Sequence, residues 1–91
     1  MATLSQEEID QLVLGVVREH EGNNGIELST VFGDDFGQLR VDETGRGGFF
    51  GPIRTAVEKA GCKLHLFSTQ HCRSAKTVGD IAKALFKDLN G

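Results

Sequence analysis

Apolar residues in this chain gather into three stretches with a helical period, separated by segments too rich in glycine and polar residues to continue one. Ile9, Leu12, Val13, Val16 and Val17 recur at i, i+3, i+4, i+7 and i+8, the spacing of one buried helix face. Ser5 and Glu8 stand three apart as a capping box, and Leu4 and Ile9 flank it as a hydrophobic staple. Arg18 and His20 favour the carbonyl end of a helix, and Gly22 supplies a left-handed stop. The pattern predicts a helix from about Gln6 to about Glu21.

The next segment, GNNGIELSTVFGDDFGQLR, opens on a turn cluster and is broken again by Gly33, Asp34, Asp35 and Gly37. Ile26, Leu28, Val31 and Phe32 give it enough apolar surface to be pinned to a core. It reads as a long irregular connection with one short helical turn. The competing reading is a small hairpin of Ile26–Phe32 with Gln38–Val41. A second helix is predicted from Pro52 to about Ala60, with Ile53, Ala56, Val57 and Ala60 inward and Gly61 as its stop. CKLHLF, residues 62–67, alternates weakly and is followed by STQHCRS, so both read as loop. The last helix begins at the Thr77 cap, three residues before Asp80. It turns Val78, Ile81, Ala82, Leu85, Phe86 and Leu89 inward, leaving Lys76, Lys83, Lys87 and Asp88 in water.

Three amphipathic helices bury their stripes against one another, which predicts an all-α domain: a small three- to four-helix bundle with a long irregular loop after the first helix. At 91 residues it is a single domain, 1–91, whose one core must be used fully. A net charge of −3 gives no general attraction for phosphate backbones, so nucleic acid is not an expected partner. No apolar run approaches the roughly 20 residues of a membrane span. The polar, acidic start, MATLSQEEID, differs from a targeting peptide, so the expected compartment is the cytoplasm, with Cys62 and Cys72 as thiols.

The least ordinary stretch is DETGRGGFFGPIRTAVEKAG, residues 42–61. Its glycines carry the adjacent rings Phe49 and Phe50 into the second helix. Arg46, Gly47, Gly48, Phe49 and Phe50 are the predicted partner-binding residues, because large aromatics on a pliable loop mark contacts. The competing expectation is that at least one ring turns inward to supply bulk to a core with no Trp or Tyr.

This layout resembles an acyl carrier protein: a long first helix, a long loop, a second helix entered through an Asp-Ser-Leu motif, and a last helix opening on Thr-Val. LRVDETGRGGFFGPI occupies the motif's place, with Gly45 on the family glycine and Gly47-Gly48-Phe49 on Asp-Ser-Leu. TVGDIAKAL, residues 77–85, is similar to the start of the family's last helix. In that family the serine carries a phosphopantetheine arm. Gly48 has no hydroxyl to bear one. The resemblance therefore implies a carrier-like, non-catalytic module that binds a protein partner or ligand without a covalent arm or cofactor. A carrier modified at an atypical residue is the alternative.

Other chemistry is thinner. Cys62, His65, His71 and Cys72 form a Cys₂His₂ set with C-x₂-H-x₅-H-C spacing, whose adjacent His-Cys pair suits a tetrahedral zinc site poorly. A zinc-stabilised domain is the third reading. A Cys–His nucleophile pair lacks an orienting group and an oxyanion site, so no catalytic residue is assigned. GRGGFFGP lacks the Gly-Lys-Ser/Thr ending of a phosphate loop. Asp34, Asp35, Asp42 and Glu43 lack calcium-loop spacing.

Overall fold

The computed structural model describes residues 4–33, 39–40 and 43–90. It is mainly helical: α1 (Gln6–Glu21), β1 (Phe32–Gly33), β2 (Leu39–Arg40), α2 (Glu43–Gly47), α3 (Phe50–Lys59), α4 (Thr69–Arg73) and α5 (Val78–Asn90). α1 packs along α5 and against α3, while α2 sits on α4. The buried side chains form one cluster, from Ile9, Val13 and Val17 of α1 through Ile53 and Val57 of α3 to Ile81 and Leu85 of α5.

Local chemistry sets the bounds of α1. The Ser5 side chain accepts the Glu8 N–H at 3.1 Å, and Glu8 returns the bond by accepting the Ser5 N–H at 3.0 Å. Gly22, at φ 64°, ends the helix in the left-handed conformation. Leu14 is buried beside the predicted stripe, whereas Leu12 and Val16 are half-buried at its margins. At the other end of the chain, the Thr77 hydroxyl accepts the Asp80 N–H, and the Asp80 carboxylate accepts the N–H groups of Lys76 and Thr77.

The described part of the connection after α1, residues 22–33, holds no helix and is firmly attached. Arg18 Nε donates to the Ile26 carbonyl at 2.8 Å. Val78 and Gly79 donate their N–H groups to the carbonyls of Thr30 and Leu28, so the loop accepts from the otherwise unsatisfied first turn of α5. Its two short strands pair in parallel, Phe32 with Leu39 and Gly33 with Arg40, which corrects the hairpin reading. Asp34, Asp35 and Asp42 lie outside the described residues.

Two single-turn helices occupy segments that read as loop. α2 runs through ETGRG because its contacts with α4 outweigh the low helix propensity of glycine. A Cβ on Gly47 would lie 3.0 Å from Thr69 Cγ2 and 3.2 Å from Arg73 Nε, so this close approach favours a residue without a side chain. α4 starts at Ser68, whose N–H is accepted by Nδ1 of His71 at 3.0 Å. His71 thus takes the position that glutamate fills in a capping box. α3 begins at Phe50, two residues before the predicted Pro52, and Ala60 at its end is exposed instead of inward.

Candidate functional site

The adjacent rings Phe49 and Phe50 part company at the start of α3. Phe49 is fully buried. Its ring meets His20 edge-on at 4.9 Å between centroids and lies 5.8 Å from Phe32. The Arg46 guanidinium stands 5.8 Å above the Phe32 ring, and its Nε donates to the Arg73 carbonyl at 3.1 Å. Arg46 is thereby drawn into the body, 9% exposed. Phe50 points another way, half-buried, and stacks on Phe67 at 6.0 Å; Phe67 in turn stacks on His71 at 5.4 Å.

The expected contact formed by Arg46, Gly47, Gly48, Phe49 and Phe50 is therefore divided. Arg46 and Phe49 complete the core, because a chain without Trp or Tyr draws bulk from its phenylalanines. Gly47 lies in the α2–α4 contact. Gly48 is exposed, and a Cβ there would stand 3.2 Å from the Gly45 carbonyl oxygen and 3.5 Å from His20 Nε2. Phe50 alone of the five carries a large, partly exposed side chain.

Phe50 leads to a surface that the sequence pattern does not announce. Leu66 is 83% exposed, and with Val31 it is one of the two exposed large apolar residues among those described. Leu66 belongs to the loop between α3 and α4, held by Asp88 of α5. The Asp88 carboxylate accepts the N–H of His65 at 2.8 Å and of Leu66 at 2.6 Å. Partial burial raises the Asp88 pKa, but the N–H groups of His65, Leu66 and Phe67, with His65 charge added, outweigh it and hold the carboxyl below its usual range. Asp88 is thus a strut between helix and loop, correcting its expected place as a solvated side chain.

Two open grooves flank His65. One, of about 410 Å³, is lined by Leu66, His71, Ala84, Lys87 and Asp88 in addition to His65. The other, of about 210 Å³, runs past Phe50, Arg54, Lys63, Leu64 and Phe67. A third and larger groove, about 520 Å³, separates α1 from α3 near His20 and Pro52, floored by the half-buried Val16 and Ala56. The Leu66 surface was hidden from pattern reading because its strut joins residues 22 apart. The one local trace was Leu64 and Leu66 alternating with polar neighbours.

The Cys₂His₂ set does not converge. Among the described residues no three His, Cys, Asp or Glu side chains group as metal ligands. Successive residues on a helix point about 100° apart. Cys72 consequently faces the core while His71 faces out and stacks on Phe67. Burial pushes the Cys72 thiol up to about 12, so it is neither a ready ligand nor a nucleophile.

No helix among the described residues is long and apolar enough to cross a membrane. Compared with known protein families, with curated proteins and with solved structures, the chain matches none.

Proposed function

We propose that this chain is a non-catalytic binding module that docks on a protein partner through Leu66 and the grooves beside it. The exposure of Leu66 on a loop bonded to Asp88 carries this reading. An exposed leucine alone is ordinary. A leucine whose own N–H and its neighbour's are both held by one carboxylate is different, because little chain entropy remains to be lost when a partner covers it. Phe50 and Leu64 extend the apolar surface, so this reading takes in one member of the expected glycine-loop contact.

The likeness to an acyl carrier protein supports the general plan of a small helical bundle that works by being bound. It does not extend to a tether, since Gly48 offers no hydroxyl for one.

A photo-crosslinking residue at position 66, compared with one at Lys76 ahead of α5, tests this reading in the cells that make the protein. The expected result is a discrete protein adduct from position 66 that is absent from position 76. Equal labelling at both positions, or none at 66, contradicts it.

A further inference from the structure

We infer that the segment seated on the Leu66 surface is acidic: an amphipathic stretch of a partner protein whose apolar side chains enter the grooves and whose Asp or Glu residues meet their rim. The inference rests on the Leu66 contact proposed above and adds the chemistry of what binds there.

Charge is divided unequally along the chain. Residues 1–53 hold three Lys or Arg against ten Asp or Glu, whereas residues 54–91 hold seven against three. The second part supplies most of the Leu66 surface. Within that surface the acids already have partners. Asp88 accepts N–H groups of the loop, and Glu58 lies 3.7 Å from Arg54 in an i, i+4 pair. Lys63 and Lys87 are exposed, and among the described residues neither has an ion-pair partner. The rim thus presents cationic groups around an apolar centre, a pattern complementary to an acidic amphipathic segment.

The geometry favours a protein segment over other anionic partners. Grooves on both sides of His65 offer concave space for side chains, which a lipid headgroup layer would leave unfilled. The chain's net charge of −3 opposes a long phosphate backbone, whereas a short acidic segment meets only the rim that carries Lys63 and Lys87. A second copy of this chain fits poorly. The exposed face of α1 has the acids Glu7, Glu8 and Glu19, but its outward positions Gln11 and Gly15 provide no large apolar anchor.

The test uses three synthetic helical peptides with leucines at the same i, i+3, i+4 and i+7 positions. Their flanking residues are glutamate, glutamine or lysine, and vesicles of anionic phospholipid serve as a fourth probe. Calorimetric or fluorescence titration of the full chain should rank the glutamate peptide first, at least ~10-fold tighter than the glutamine peptide, with affinity falling as salt rises. Leu66→Asp should abolish its binding. Reversing charge with Lys63→Glu and Lys87→Glu together should weaken it by ~10-fold or more while the melting temperature stays at the wild-type value. Equal binding of the glutamine peptide, lost with Leu66→Asp, overturns the acidic partner and leaves the contact surface standing. Preference for the lysine peptide, binding to vesicles alone, or binding to none of the four probes also overturns it. A missing crosslink at position 66 instead marks failure of the contact reading itself.

Discussion

Asp88 of α5 holds Leu66 by its backbone: the carboxylate accepts the Leu66 N–H at 2.6 Å and leaves the leucine side chain in water. The two residues separate presentation from support. Changing Asp88 alters where Leu66 stands, whereas changing Leu66 removes a side chain on which the fold does not depend.

Asp88→Asn should loosen the loop without unfolding the domain. Hydrogen exchange at the amides of residues 65–67 should speed up clearly, while amides in α1 and the middle of α5 keep their protection. Wild-type protection of those loop amides in the variant would contradict the strut.

Acid should act on the same strut. The folded pKa of Asp88 is lowered, so its contribution is fully present above the ordinary carboxylate value near ~4 and is lost as pH falls through the lower folded value. Exchange of the loop amides, corrected for intrinsic rates, should rise at the acid end in wild type and show no such step in Asp88→Asn. The same acid step persisting in Asp88→Asn would contradict the strut.

Phe49 and Phe50 should separate in stability. Phe49→Ala removes a fully buried ring that meets His20 and Phe32, at a cost of about 3–5 kcal/mol. In a domain this small each kcal/mol shifts the melting temperature by roughly 4–8 °C, so the loss is large by thermal melting. Phe50→Ala, at a half-buried position stacked on Phe67, should cost clearly less. Equal costs would contradict the divergence of the two rings.

How the two rings divide could not be read from the sequence, because adjacent phenylalanines beside glycines satisfy either arrangement until α2 and α4 fix the backbone. Where the information is local, the sequence specifies the element. Ser5, Glu8 and Gly22 bound α1 through contacts within four residues, and Thr77 with Asp80 opens α5 likewise. α4 escaped because His71 fills the cap position in which glutamate is the usual signal. α2 escaped because its stability comes from Arg46 reaching the Arg73 carbonyl, 27 residues away. The candidate surface was the least legible part, since the exposure of Leu66 and the bonding of Asp88 both arise only when α5 meets the loop.

The α2–α4 contact makes its own prediction. Gly47→Ala places a methyl group 3.0 Å from Thr69 Cγ2 and should destabilise by about 1 kcal/mol or more. Adding Thr69→Ser removes that carbon and should restore part of the loss by thermal melting. Simple additivity of the two changes would show that the steric account is wrong.

Cys72 should resist alkylation. With its thiol pushed up to about 12 by burial, mild treatment with iodoacetamide near pH 8 should leave Cys72 intact in the folded protein and label the half-buried Cys62 first. Mass spectrometry should find both labelled once denaturant is added. Early labelling of Cys72 under native conditions would mean the core opens there.

The most direct measurement compares wild type with Leu66→Asp in one pair of experiments, thermal melting and titration with the glutamate-flanked peptide. An 83% exposed side chain can be replaced within about 0.5 kcal/mol, so the melting temperatures should nearly coincide while peptide binding is lost. Binding retained at wild-type strength, or a fall in melting temperature of the size expected for Phe49→Ala, would contradict the role given to Leu66.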